Sequence, residues 1–179
     1  RDLGHHLNYR GRQAVVVNPF GAPPSFVEHN RDFSRLELNI DPKNADAILE
    51  KYRSRFYVNT PFTTQEIRYY ANLIGKEHSR IFRREKGKTL ILTQYYQIFN
   101  TRMYLTLGSA LKVDNKNQPA VDNLRLIHES QSRVKFLGNT FPKYRVFERV
   151  KGAILKGKSS NQEPIELTVE LKGNRGQSY

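Results

Sequence analysis

The chain has no cysteine, no tryptophan and a single methionine. Without thiols there are no disulfide staples, no thiolate zinc sites, no iron–sulfur clusters and no cysteine nucleophile, while the redox compartment stays open. Long apolar runs are also missing. The longest stretches reach only four or five residues, too short for a membrane-spanning helix or the core of a signal peptide. Acidic residues are scarce: 17 Asp and Glu face 30 Lys and Arg, a formal charge of +13. Such an excess points towards nucleic acid, an anionic membrane surface or an acidic protein partner. The cations are spread through both halves, which excludes a purely basic tail. Two local concentrations stand out, Arg80, Arg83, Arg84, Lys86 and Lys88, then Lys143, Arg145, Arg149, Lys151, Lys156 and Lys158.

What is present suits one α+β domain, residues 25–179, preceded by an extended arm or juxtamembrane connector, residues 1–24. Ten Phe and ten Tyr supply core material. In the arm, Ala14–Val17 reads as an extended piece closed by Asn18-Pro19 and a Gly21–Pro24 turn. Ser25 with Glu28 fits a capping box for a helix carrying Phe26, Phe33 and Leu36. Asp41 caps a second helix with Pro42 at its first position and a stripe of Ala45, Ile48, Leu49, Tyr52 and Phe56. Truncating Phe56 to Ala is expected to cost roughly 3–5 kcal/mol if that stripe is core. Thr63 and Glu66 form a second capping box for a third helix, with Ile67, Tyr70, Ala71, Ile74 and Ile81 on one side and the first basic cluster at its C-terminal end.

Beyond Gly87 the residues become β-branched and aromatic. Residues 89–99 read as extended or as a buried helix, 102–107 as extended, and 112–123 as a loop. Strands are expected at 133–138, 144–155 and 165–173. In the last, Ile165, Leu167, Val169 and Leu171 alternate with Glu166, Thr168, Glu170 and Lys172, and the helices are expected to pack on the face bearing Leu167 and Val169.

Catalytic constellations are sparse. The five histidines (His5, His6, His29, His78, His128) lack metal-site spacing, and no nucleophile elbow or phosphate-cradling glycine loop is present. No catalytic, metal or cofactor residue is assigned. Glu170-Leu171-Lys172 with Glu166 resembles the Glu-x-Lys element of magnesium-dependent nucleases, for which Asp122 or Asp114 would complete the metal site, but an amphipathic strand with a charged outer face requires alternating Glu and Lys anyway and is the favoured explanation. Nucleic-acid binding rests on aromatics beside cations: Tyr95, Tyr96, Phe99 and Tyr104, or Tyr144 and Phe147 between Lys143, Arg145 and Arg149. Candidate partner or phosphate contacts are Arg83, Arg84, Lys86, Lys88, Arg145, Arg149 and Lys151.

The stretch "RQAVVVNPFGAPPSFV" (12–27), the step Leu38-Asn39-Ile40-Asp41-Pro42 and the pair "YRVFERVKGAIL…IELTVELKG" around Val150-Lys151-Gly152 resemble the periplasmic domain of TraE-type inner-membrane assembly subunits of type IV secretion and conjugation systems. The resemblance covers about residues 12–58 and 144–173. It implies a curved antiparallel sheet packed on helices, like nuclear transport factor two, and a non-enzymatic, homo-oligomeric structural subunit without cofactor. Its partners would be other subunits of the complex, and it would be periplasmic, tethered by a membrane segment upstream of Arg1. Arg12, Val15, Val16, Val17 and Phe20 would form the assembly arm. The alternatives are a nucleic-acid-binding component of a large particle and, more remotely, the nuclease.

Overall fold

Helix signals dominate residues 25–73, and the computed structural model, which describes residues 25–113 and 115–150, places three helices there. Helix α1 spans Phe26–Glu37, α2 Pro42–Lys51 and α3 Thr64–Leu73. Asp41 caps α2 by accepting the Lys43 N–H at 3.0 Å, with Pro42 at the first position where a missing N–H leaves nothing unpaired. The Thr63 hydroxyl accepts the Glu66 N–H at 3.2 Å while the Glu66 carboxylate accepts the Thr63 N–H at 2.8 Å, a complete capping box.

The box expected at Ser25 does not form. Ser25 has helical dihedrals and makes no side-chain cap, and the Glu28 carboxylate instead receives Lys51 Nζ at 2.8 Å. The stripe of α2 is also shorter than expected. The helix stops at Lys51, and Phe56 opens strand β1 (Phe56–Asn59) with 43% of its surface exposed, so the large core cost expected of Phe56→Ala does not apply to it. Ile81 is fully buried but lies beyond α3, which ends at Leu73 ahead of Gly75 at φ +63.

The first basic cluster consequently sits in a hairpin rather than at a helix C-terminus. Strands β2 (Phe82–Glu85) and β3 (Lys88–Ile91) pair antiparallel around Lys86 and Gly87, both at positive φ. A 3-10 turn at Thr93–Tyr96 leads into α4 (Phe99–Thr106), which replaces the extended segment expected at 102–107. Phe99 to Tyr104 are all buried, so α4 has no polar face to reveal its period. Leu107 adopts the left-handed conformation at its end, followed by Gly108 at φ +79. A Cβ at Gly108 would lie 2.9 Å from Met103 Sδ and 3.0 Å from Val121 Cβ, so this close approach requires glycine. Part of the expected 112–123 loop forms a short hairpin, β4 (Leu111–Val113) with β5 (Lys116–Gln118).

The remaining strands are β6 (Leu124–Glu129), β7 (Arg133–Phe136), β8 (Asn139–Pro142) and β9 (Arg145–Arg149). Strand β9 lies between β1 and β6 in a three-stranded sheet, and β7 and β8 form a hairpin; among the described residues every pairing is antiparallel. The fold is α+β. The chain builds two compact units, 25–54 with Pro61–Val121, and Arg55–Thr60 with 122–150. In the first, Leu36, Leu38, Ala45, Leu49, Ile67 and Ala71 are buried, and Phe62 stacks on Tyr70 at 4.9 Å between ring centroids. In the second, one sheet face buries Tyr57, Phe147, Asn59, Arg145 and Glu129. The expected arm 1–24, the strand 165–173 with its Leu167 and Val169 face, and the nuclease candidates Glu166, Glu170, Lys172 and Asp114 lie outside the described residues.

Candidate functional site

Hairpin β2–β3 concentrates the cations that sequence reasoning selected. Cross-strand partners share a face, so Arg83 with Leu90 and Glu85 with Lys88 lie on one side, and Phe82 with Ile91 on the other. Phe82 is buried, with the Arg68 guanidinium 5.8 Å from its ring centroid and the His78 ring at 5.1 Å. Arg83, Lys86, Lys88 and Leu90 are exposed. Arg83 makes a 3.3 Å ion pair with Glu85, whereas Lys86 and Lys88 have no carboxylate partner among the described residues. A Cβ added at Gly87 would meet nothing within 4 Å, so the space beside the turn is open there.

The second cluster divides. Arg145 belongs to the buried face of its sheet, where its Nε donates to Glu129 Oε1 at 2.8 Å; the two side chains are 5% and 0% exposed. It is withdrawn from the surface and cannot contact a phosphate, contrary to the expectation drawn from its charge. Arg149 is half-buried, with its backbone N–H donated to the Arg55 carbonyl at 2.7 Å. Lys151, like the arm residues Arg12, Val15, Val16, Val17 and Phe20, lies outside the described residues. Of the expected aromatic platforms, Tyr95, Phe99, Tyr104 and Phe147 are buried, and Tyr96 is exposed. Asp122 is exposed, and no group of three or more metal-ligating side chains occurs among the described residues.

Three polar constellations were not anticipated. Asp32, on the inner side of α1, accepts Lys51 Nζ at 2.6 Å, the Tyr52 hydroxyl at 2.8 Å and Arg35 at 2.8 Å. Burial alone would raise the Asp32 pKa, but the hydrogen bonds from Lys51, Tyr52 and Arg35 prevail and hold it below the ordinary carboxylate value. The same contacts raise Lys51 through its bonds to Asp32 and Glu28, and burial followed by the Asp32 bond pushes the Tyr52 phenol up to about 12. On the outer sheet face, Glu148 joins Arg55 at 3.0 Å and Arg125 at 2.7 Å, bonds that lower its pKa, Arg125 first. Arg102 in α4 is 1% exposed and donates to the carbonyls of Ser109 (3.1 Å) and Pro119 (2.6 Å), with its Nε unpartnered; burial lowers its pKa. The i, i+3 spacing of Asp32 and Arg35 was readable on a helix. The reach of Lys51 and the burial of Arg102 depend on tertiary packing, which no local pattern records.

The step Leu38–Pro42 is held from both sides. Asn39 Oδ1 accepts the Asp41 N–H at 2.9 Å, the Asn39 carbonyl accepts the Phe99 N–H at 2.6 Å, and Lys76 Nζ donates to the Leu38 carbonyl at 2.8 Å. This step is part of the resemblance to type IV secretion subunits, but 12–24 and 151–173, which carry much of the rest, lie outside the described residues.

No protein-family model and no curated protein matches the chain. Among solved structures, the fold is similar to the C-terminal globular domain of an oligosaccharyltransferase from Archaeoglobus fulgidus, at a TM-score of 0.51 and 17% identity, over 83% of this chain and 76% of that one. At that identity the likeness is one of fold.

Proposed function

We propose that the chain is the globular, non-catalytic domain of a machinery that transfers oligosaccharide to an acceptor. The supporting observation is the breadth of the fold likeness, which extends through 83% of the chain rather than over a single hairpin. Three carboxylates of the described residues are engaged in structure rather than poised for chemistry. General acid–base work needs a carboxyl group free to meet a substrate. Asp32, Glu129 and Glu148 are instead held by cations of their own unit, at 2.6–3.0 Å.

Transfer itself is the test. Cell extracts containing the protein, membranes included, are given an activated oligosaccharide donor and a fluorescent acceptor peptide, before and after depletion with an antibody against the chain. Loss of glycopeptide on depletion, restored by adding the depleted material back, is the expected result. Transfer that survives complete depletion overturns the reading. Stoichiometric recovery of secretion-complex subunits or of nucleic acid with the chain, and no transfer activity, assigns it to one of those assemblies instead.

A further inference from the structure

We infer that the β2–β3 hairpin is a docking element for an anionic lipid surface. Residues 80–88 hold five cations against one carboxylate. The fold projects part of that charge outward: Lys86 forms the tip with Gly87, Lys88 follows it, and both ammonium groups lack a carboxylate partner among the described residues. Cations near an anionic bilayer surface contribute additively and with little demand on geometry, which suits long lysine side chains on an exposed turn.

Lipid is favoured over nucleic acid by what lies between the cations. Leu90 shares a face with Arg83 and Lys88, and is 39% exposed. An exposed apolar side chain with Arg83 across the hairpin and Lys88 on its own strand matches the boundary between headgroups and acyl chains, although Glu85 shares that face. A single-stranded nucleic acid would want an aromatic face for stacking. The hairpin's one aromatic ring, Phe82, is 3% exposed beneath Arg68 and His78 and unavailable to a base. The inference does not depend on the oligosaccharide-transfer reading, since a lipid-docking hairpin serves any membrane-associated assembly.

The test is flotation of the full chain with phosphatidylcholine vesicles, with and without phosphatidylglycerol, at low and high salt. Partitioning is expected to require phosphatidylglycerol and to weaken with salt. The triple variant Arg83→Gln, Lys86→Gln, Lys88→Gln should lower it roughly a hundredfold, about fivefold per cation. A control triple of exposed lysines elsewhere, Lys43→Gln, Lys112→Gln, Lys116→Gln, should lower it far less. Leu90→Gln should weaken the binding that remains at high salt, and circular dichroism confirms that each variant is folded. Equal losses in the two triples, or losses confined to Arg133→Gln with Lys135→Gln in the β7–β8 hairpin, overturn the assignment. So does absence of any preference for phosphatidylglycerol, or tighter binding of an oligonucleotide abolished by the hairpin triple.

Discussion

Asp32 shows how one residue can tie two helices by charge. It sits on α1 with a nearly buried carboxylate and receives Lys51 and Tyr52 from the far end of α2. A carboxylate held below its ordinary pKa adds stability that is complete above the unfolded value, about 3.9, and disappears as pH falls through the lowered folded value. Asp32→Asn keeps the shape and removes the charge. It should destabilise the chain by about 1.5–3 kcal/mol at neutral pH, the usual worth of hydrogen bonds to a charged group. The gap between parent and variant in urea melts should begin to narrow below about pH 4, where the unfolded chain's Asp32 takes up its proton first, and should close as the folded carboxylate is protonated at its lower value. A gap that stays constant down to pH 2 would mean that the carboxylate's charge is not what stabilises the pair. Arg145 gives the complementary lesson. By composition it belonged with the surface cations, yet Glu129 lies directly across the sheet from it at a buried position, so the pair is internal. Nothing in the local sequence distinguishes Arg145 from Lys143; only the register of β9 against β6 does.

At the scale of elements, caps and periodicity were legible where a helix has one wet side, and illegible where it has none. Helices α2 and α3 follow from Asp41-Pro42, Thr63 and Glu66, together with apolar residues three and four apart. Helix α4 could not be read in this way, because Phe99 through Tyr104 are buried all round and its Phe, Thr and Tyr residues also suit strands. Strand β6 was not expected because its alternation is interrupted by a register shift between Leu126 and His128. The basic cluster lies on a hairpin and not at a helix end, since α3 stops at Leu73 ahead of Gly75 and the Lys86-Gly87 turn joins two strands. The two capping boxes offer a direct comparison, since Ser25/Glu28 and Thr63/Glu66 look alike in sequence. Thr63→Ala should cost about 1 kcal/mol, because a real cap is lost, while Ser25→Ala should be close to neutral, because its side chain caps nothing. Thermal melts of the two variants measure the contrast, and a Ser25→Ala loss as large as that of Thr63→Ala would contradict the geometry at the start of α1.

Across the whole molecule the chain is interleaved: β1 lies in sequence between α2 and α3 of the first unit, yet it is a strand of the second unit's sheet. All four of its residues pair with β9, from Phe56 opposite Glu148 to Asn59 opposite Arg145, and Tyr57 and Asn59 are buried on the inner face. The second unit therefore cannot complete its sheet without a segment that the first unit carries covalently. Closing so long a loop slows folding, but the ladder persists once made, because its pairing is intramolecular. A single cut between Val121 and Asp122 would make that pairing bimolecular without removing any residue. The two pieces should then remain together at micromolar concentration, held by the β1–β9 ladder and the Tyr57–Phe147 contact at 6.2 Å between ring centroids. They should separate on dilution or in mild urea, because the effective concentration that the covalent link supplied has gone. An engineered protease site at that junction and native gel filtration of the nicked chain measure this. Two peaks in native buffer at micromolar concentration would show that β1 does not bind the pieces together, and the sheet order β1-β9-β6 would have to be abandoned.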